Sequence, residues 1–210
     1  LIINETERRR HRNAGPIRVR FVAGNWEGFR TDAVPRPQSA KLAIFNHVMR
    51  PMLRLIDAEE DPGPFISPSR PPIKYLMRQL VKAHGMGIEI PKWKVPDDVA
   101  EEMRGFLKGR KPVVITLREA DYWPTRNSRM DDWIAFARNS KEDVIFVRDT
   151  AKADEPIEGF ETNPRAAKEL LWRAALMAQA KCNLMVANGP IGLAYYMDPP
   201  WLKFSVLPPE

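Results

Sequence analysis

The sequence predicts an α/β fold in which a Rossmann-like parallel sheet with flanking helices occupies the C-terminal half. Three short runs rich in β-branched residues alternate there with two helix-length segments, which is the pattern of a doubly wound parallel sheet. The runs cover residues 113–117, 144–147 and 184–187. Sheets of this kind bind ligands beyond the carboxyl ends of their strands, so the residues that follow each run are the first candidates for a site.

The residues before this region predict shorter elements. Residues 17–23 alternate apolar and basic side chains, which indicates a strand with one side facing solvent. A helix is expected from Ser39, and Pro51 should kink or end it near Arg50, because proline lacks an N–H and clashes with the preceding turn. Residues 61–72 are rich in proline and are expected to form a linker rather than a regular element.

Three further elements are expected before the sheet: a helix over residues 73–84, a short strand over 88–90 and a helix that starts at Pro96. Proline suits the first turn of a helix, and the two aspartates after Pro96 lie near the positive end of the helix dipole. Asp97 and Asp98 are therefore explained by capping of the helix and not by a catalytic role.

The overall composition limits the classes of function. The chain has 210 residues and a formal net charge of +6, which is compatible with nucleic acid, an acidic membrane surface or a phosphorylated ligand as partner. Cys182 is the one cysteine, so no internal disulfide can form, and a reducing, cytoplasmic location is expected. No run approaches the roughly 20 apolar residues that a membrane span requires.

Basic and polar residues follow the first strand of the predicted sheet. Arg118 leaves that strand at its carboxyl edge, where a partly exposed guanidinium can bind a phosphate through paired charge-assisted hydrogen bonds. Arg126, Asn127 and Ser128 end the same loop, where a predicted helix begins whose free N–H groups also attract anions. The alternative is an ion pair between Arg118 and a carboxylate of its own loop, at Glu119 or Asp121.

Asn188, Gly189 and Pro190 follow the last predicted strand and a predicted helix over residues 165–181. Glycine lets the backbone turn tightly and approach a ligand closely, and a helix after Pro190 would aim its N–H groups at the same edge of the sheet. An ordinary strand-to-helix turn needs the same residues, so this motif is the weaker of the two. We expect Asn188 to lie within one ligand length of the two loop arginines.

Four short motifs in this half of the chain, taken in order, resemble those of one protein family. They are Val-Val-Ile-Thr-Leu-Arg-Glu ending at Glu119, Arg126-Asn127-Ser128, Val-Ile-Phe-Val-Arg-Asp-Thr ending at Thr150, and Cys-Asn-Leu-Met-Val-Ala-Asn-Gly-Pro ending at Pro190. This series resembles the nucleotide-binding half of GT-B glycosyltransferases, nearest to the heptosyltransferase and fucosyltransferase-like branches. The resemblance covers roughly residues 111–200.

The resemblance implies that the chain binds a nucleotide-sugar and transfers its sugar to an acceptor. In that family a strand-end arginine binds the donor diphosphate, and a later small polar loop lies over the nucleotide. The implied diphosphate-binding residues here are Arg118, Arg126, Asn127, Ser128, Asn188 and Gly189. The nucleotide-sugar is the substrate, so no cofactor is implied. No metal site is expected, because the histidines are scattered and no Asp-X-Asp triplet occurs.

The same resemblance implies a division of the chain into two parts. Residues 1–72 would be an N-terminal, acceptor-side region that ends in the proline-rich linker, and residues 73–210 would be the nucleotide-binding domain. The catalytic base of inverting members lies on the acceptor side, where the candidates are Glu27, Asp32 and His47. A complete two-domain transferase is longer than this chain, which favours a fragment or a reduced form.

Two other classes of function remain open. A nucleic-acid-binding protein would rest on the basic residues at 8–12, on Arg18 and Arg20, and on exposed aromatic residues such as Trp26 and Trp93. The basic residues are scattered and no recognition module is legible, so nucleic acid is the less favoured partner. A non-catalytic Rossmann-like binding or assembly domain would explain the fold and the missing base equally well.

Overall fold

The structure is a computed structural model, and it describes residues 17–19, 38–61, 81, 84–87, 92–121 and 124–205. The predicted strand over residues 88–90 and the expected boundary between residues 72 and 73 lie outside these ranges, as does most of the helix predicted over 73–84. The strand predicted over 17–23 is described only at its start.

Two short parallel strands lie in the described N-terminal part. Strand β1 (Ile17–Val19) pairs in parallel with β2 (Ala58–Glu60). Between them in the sequence, helix α1 (Gln38–Ile44) leads into a wider, π-helical turn at Phe45–Met49.

The break expected at Pro51 is confirmed. The N–H of Arg50 donates to the carbonyl of Phe45, five residues back, at 2.9 Å, and a new short helix, α2 (Met52–Leu55), begins after the proline. Because proline cannot donate to the preceding turn, the regular hydrogen-bond ladder ends there. Leu55 of α2 then packs against helices that cover the main sheet.

Five parallel strands form the main sheet, in the spatial order β5–β4–β3–β6–β7. In sequence order, they are β3 (Val113–Thr116), β4 (Val144–Val147), β5 (Glu161–Thr162), β6 (Cys182–Val186) and β7 (Trp201–Phe204). The chain runs outwards from β3 to one edge and then returns to extend the other, so the sheet is doubly wound. The predicted Rossmann-like α/β fold is confirmed.

Helices cover both faces of this sheet. They are α3 (Asp97–Leu107), α4 (Met130–Asn139), α5 (Pro164–Lys168), α6 (Leu170–Gln179) and α7 (Ile191–Met197). Successive side chains of β3 point to opposite faces. Val114 packs with α3 and α6, whereas Val113 and Ile115 pack with α4. Burial on both faces explains why these strands read as continuous apolar runs.

The residues that flank helix α3 determine where it begins and ends. Pro96 lies at the cap with extended backbone, one position before the first turn in which we expected it. Asp97 and Asp98 occupy that first turn, and Asp98 binds Arg54, which lowers the pKa of its carboxyl. After Leu107 the backbone turns left-handed at Lys108 (φ 50°) and Gly109 (φ 83°), which ends the helix.

The helix predicted over residues 165–181 is in fact two helices. Asn163 caps α5 by accepting the N–H of Ala166 at 2.9 Å, and Glu169 then adopts an extended conformation that separates α5 from α6. A side chain rather than the next turn of helix binds the carbonyl of Ala166: the Nε of Arg173 donates to it at 2.6 Å. The periodicity of apolar residues in the sequence does not indicate that the Arg173 side chain replaces a backbone N–H as the partner of this carbonyl.

Candidate functional site

A cavity of about 870 Å³ lies beyond the carboxyl ends of β3, β4 and β6. Strand β3 pairs with β4 on one side and with β6 on the other, so the loops that follow these strands leave the centre of the sheet in opposite directions. In open α/β sheets, ligands bind at the point where the strand order reverses. The cavity occupies that point.

Basic side chains outnumber acidic ones among the described residues of the cavity wall. Within the described ranges, four arginines and one lysine line it, against three carboxylates. The cations are Arg118, Arg126, Arg148, Arg173 and Lys203, and the acids are Glu119, Asp121 and Asp149. An anionic ligand is therefore favoured over a cationic one, because the surrounding charge has a net positive sign.

Arg118 is more deeply buried than the sequence predicts. Arg118 is only 4% exposed, although it lines the cavity. Its Nη1 donates to Oδ1 of Asn127 at 2.5 Å, and its backbone N–H donates to the hydroxyl of Ser128 at 2.9 Å. The expectation of a partly exposed side chain was wrong, because the loop folds back over the strand end and encloses the guanidinium.

Asn127 and Ser128 close that loop and do not line the cavity. Oδ1 of Asn127 accepts from Arg118 and from the backbone N–H of Ala120, while its Nδ2 donates to the carbonyl of Ala120 at 2.9 Å. The hydroxyl of Ser128 is bonded to the start of the loop, so it does not cap the next helix. Helix α4 accordingly begins at Met130, two residues later than Ser128.

Arg126 and Asn188 join the loops that follow β3 and β6. Nη2 of Arg126 donates to the carbonyl of Ala187 at 3.2 Å, and Nδ2 of Asn188 donates to the carbonyl of Leu117 at 3.4 Å. Both side chains line the cavity together with Arg118. Among the described residues, Oδ1 of Asn188 is buried without a hydrogen-bond partner. The structure thus brings the three residues onto one wall, as the topology predicts.

Gly189 lines the cavity, but its backbone does not require a glycine. Its φ lies outside the left-handed region, and a Cβ built on it would meet nothing within 4 Å. The first N–H groups of α7 are also engaged: Ile191 donates to the carbonyl of Asn188, and Gly192 donates to that of Gly189. The helix therefore contributes no free N–H groups of the kind expected at its start.

Arg148 is held by an acidic partner. Its Nη2 lies 2.6 Å from Oε1 of Glu119, and its Nε lies 3.0 Å from Oε2 of the same residue, with both side chains nearly buried. Hydrogen bonding to Glu119 raises the pKa of Arg148 above its ordinary value. The main contact of the Glu119 carboxylate is therefore with Arg148. It is not the ion pair with Arg118 that the sequence offered as an alternative.

Asp149 is bound by the backbone at both of its oxygens. Oδ1 accepts the N–H of Thr150 at 2.9 Å, and Oδ2 accepts the N–H of Glu119 at 3.2 Å. The bond from Glu119 connects the loop after β4 to the loop after β3. Asp121 is the exposed member of the three cavity carboxylates.

Arg173 is a cavity residue that the sequence does not reveal. It lies on α6 and not on a loop, and it is 7% exposed. The signal in the sequence is one cation within an otherwise uncharged helix, Leu170–Gln179, and only the tertiary fold shows that it reaches a cavity. Burial lowers the pKa of Arg173 to about 10, although the Asp149 carboxylate acts in the opposite direction.

Parts of helices α1 and α7 complete the wall. Ala43 and Ile44 contribute from α1, and Tyr195 contributes from α7, where its ring packs edge-to-face with Trp201. His47 lies one turn beyond Ile44, but it is exposed and does not line the cavity. The other two candidate bases, Glu27 and Asp32, lie outside the described residues.

The described residues give little support to a nucleic-acid surface. Trp93 is not an exposed aromatic residue, because its ring stacks on Tyr196 with centroids 4.6 Å apart and packs against the core. Arg18 lies 3.8 Å from Glu59, so its charge is partly balanced. The remaining residues invoked for this alternative, at 8–12, Arg20 and Trp26, lie outside the described ranges.

The described part of the chain contains neither a cluster of metal ligands nor a membrane-spanning helix. No group of three or more His, Cys, Asp and Glu side chains there is arranged to hold a metal ion. No helix among these residues has the length and apolar character to cross a bilayer.

Comparisons with known proteins give no independent assignment. No protein family, curated protein sequence or solved structure matches this chain.

Proposed function

We propose that this protein is a glycosyltransferase that binds a nucleotide-sugar at the carboxyl edge of its sheet. The donor diphosphate lies between Arg118 and Arg126, which follow β3, and Asn188 and Gly189, which follow β6. The observation that carries the proposal is the placement of Arg118, whose nearly buried guanidinium lines a cavity where the strand order reverses. Guanidinium groups bind phosphate oxygens through paired hydrogen bonds, and a buried one does so with little competition from water.

The size and charge of the cavity support this class of ligand. Its volume of about 870 Å³ falls within the range of about 300–1,000 Å³ that is typical of small-molecule sites. Its excess of basic side chains suits a diphosphate. Tyr195, which is half exposed on the wall, offers an aromatic face to a base or a sugar ring.

The proposed reaction is a displacement at the anomeric carbon of the donor. An oxygen of the acceptor hydroxyl forms a bond to that carbon, while the bond from the carbon to the diphosphate oxygen breaks. The nucleoside diphosphate leaves with the bonding electrons. Arg118 and Arg126 stabilise the negative charge that develops on it, and groups fixed in place before the reaction do so with little reorganisation.

The acceptor hydroxyl must also lose a proton to a base. Glu119 is held by Arg148, and Asp149 accepts two backbone N–H groups. Asp121 is exposed on the cavity wall, which makes it the described carboxylate best suited to receive that proton. The proposal adds Asp121 to the earlier candidates His47, Glu27 and Asp32.

The test is a thermal-shift titration with GDP-, UDP-, ADP- and dTDP-sugars, followed by an assay for released nucleoside diphosphate. A ligand at 100 times its Kd adds about 2.7 kcal/mol to the unfolding free energy, which is easily measured. Arg118→Ala should weaken binding of the active nucleotide. Arg129→Ala is the matched control, because Arg129 is exposed and lies outside this cavity.

The possible results separate the three classes of function. Binding together with nucleotide release supports a transferase, and binding without turnover of the sugar indicates a non-catalytic binding domain. If no nucleotide or nucleotide-sugar stabilises the protein at millimolar concentration while short oligonucleotides do, the nucleic-acid alternative replaces the proposal.

A further inference from the structure

Arg173 is unusual among the buried residues of the molecule. It lies in the middle of α6, where its neighbours Trp172, Ala174 and Ala175 are buried and uncharged. The helix carries no other charged side chain. Arginine is rarely so deeply buried unless a carboxylate accompanies it.

No carboxylate oxygen of the described residues lies within 4.0 Å of the Arg173 guanidinium. Its Nε donates to the carbonyl of Ala166, and Asp149 acts on it only through longer-range attraction. Arg148 provides the contrast, because it is buried to a similar degree but binds Glu119 at two points. Arg173 remains protonated at neutral pH, since burial lowers its pKa only to about 10.

A buried charge without an opposite charge destabilises a fold. Replacement by an apolar residue of similar volume would remove the cost of desolvating the guanidinium. The residue that the chain carries here is nevertheless an arginine, and its side chain forms part of the cavity wall. A negatively charged ligand would supply the opposite charge that the protein itself does not place beside Arg173.

We infer that Arg173 binds one phosphate group of the ligand, on the part of the cavity wall that α6 and the loop after β4 provide. This inference rests on the proposal that the cavity binds a diphosphate, and it adds a contact from a helix to the loop residues considered so far. It also specifies the chemistry of the ligand. A diphosphate can engage Arg118 and Arg173 with different phosphate groups, whereas a single phosphate cannot serve two separate subsites equally well.

The alternative role for Arg173 is structural. Its bond to the carbonyl of Ala166 could serve to hold α5 against α6 where the two helices separate at Glu169. The two roles predict opposite effects on stability. A structural arginine stabilises the unliganded protein, whereas a ligand-binding arginine that lacks a partner destabilises it.

The experiment compares wild-type protein with Arg173→Met and Arg173→Gln. Methionine keeps much of the shape and removes the charge, and glutamine keeps an N–H donor for Ala166 while removing the charge. The affinities for inorganic pyrophosphate, orthophosphate and GDP are measured by calorimetry, and the melting temperature is measured without ligand. Arg104→Met is the control, because Arg104 is exposed on α3 and pairs with Glu101.

We expect both Arg173 variants to bind pyrophosphate at least tenfold more weakly than wild type, with an unchanged or higher melting temperature without ligand. We expect a smaller loss for orthophosphate. Unchanged pyrophosphate affinity in Arg173→Gln, or a lower melting temperature with normal affinity, would overturn the inference and leave the proposed function intact. Failure of the wild-type protein to bind pyrophosphate or any nucleoside diphosphate would instead overturn the proposed function.

Discussion

Arg148 and Glu119 form a two-point ion pair in the wall of the cavity, with contacts of 2.6 Å and 3.0 Å. The pair joins the loop after β4 to the loop after β3. Arg148 also donates to the backbone carbonyl of Glu155 at 3.0 Å, which fixes the far side of its guanidinium. Loops joined by these contacts restrict the movement of the neighbouring Arg118.

Removal of the acidic partner should therefore lower the unfolding free energy of the protein. Glu119→Gln leaves the buried Arg148 with only the exposed Glu155 carboxylate, 3.3 Å from its Nη1, as an ionic partner, and we expect the unfolding free energy to fall by about 3 kcal/mol in urea denaturation. Glu102→Gln is the control, because the Glu102–Arg165 pair is exposed and such pairs contribute less than about 1 kcal/mol. The double variant Glu119→Gln/Arg148→Met should regain part of the loss. A loss below about 1 kcal/mol in the single variant would mean that the pair does not hold the loops.

Arg118→Lys should affect both binding and stability. Lysine keeps the charge but lacks the planar fork that grips two phosphate oxygens, so we expect nucleotide affinity to fall about tenfold. Its ammonium group also cannot reproduce the guanidinium's hydrogen bond to Asn127, and a lost bond of this kind lowers the unfolding free energy by about 1 kcal/mol. Calorimetric titration and urea unfolding of one preparation measure both effects. A variant that loses stability but binds nucleotide normally would remove Arg118 from the site.

Gly189→Ala tests whether a ligand approaches the loop after β6. The backbone there tolerates a side chain, and the new methyl group would project into open space. We expect the unfolding free energy to change by less than about 0.5 kcal/mol, because nothing in the unliganded protein is displaced. Nucleotide affinity should fall severalfold if the ligand occupies that space. Gly192→Ala, which adds a methyl group inside α7 and outside the cavity wall, should leave affinity unchanged.

Arg173 should make stability depend on alkaline pH. Burial lowers its pKa from the ordinary value of arginine to about 10, so the unfolded chain holds this proton more tightly than the folded protein does. The destabilisation is therefore present in full well below pH 10 and is relieved as the pH rises above about 10. The advantage of Arg173→Met over wild type in urea unfolding should shrink as the pH rises from about 10 to about 11. An advantage that stays constant over this range would trace to packing and not to charge.

The sequence was sufficient to predict the centre of the sheet but not its edges. Strands β3, β4 and β6 are buried on both faces, and such strands appear as continuous apolar runs. Strand β5 contains only Glu161 and Thr162, and β7 is largely exposed, so neither has a run or an alternation that identifies it. Edge strands are recognised by the partner they pair with, which a local pattern cannot show.

The residues that line the cavity were predictable to the extent that they follow the ends of strands. Arg118, Arg126, Asn188 and Gly189 follow strands whose direction is set by the doubly wound topology, and all four line the cavity. Asn127 and Ser128 have suitable chemistry for an anion site, but closure of the loop uses their polar atoms. Arg173 was missed because its contact with the cavity depends on how α6 packs, and no nearby residue in the sequence indicates that packing.

The central position of β3 has a consequence for how the molecule folds. Val113 pairs with Val144 of β4 on one side and with Cys182 of β6 on the other. The pairing of β3 is therefore complete only after β6, which is distant in the sequence, has joined the sheet. Sheets with such long-range pairing nucleate slowly, since the entropy of closing long loops is lost before the contacts form. Until β6 docks, β3 has an unpaired apolar edge that other chains can pair with. The protein is therefore most prone to aggregation while its sheet is folding. Substitutions that weaken the β3–β6 pairing should lower the yield of refolded protein more than they lower the stability of the folded protein.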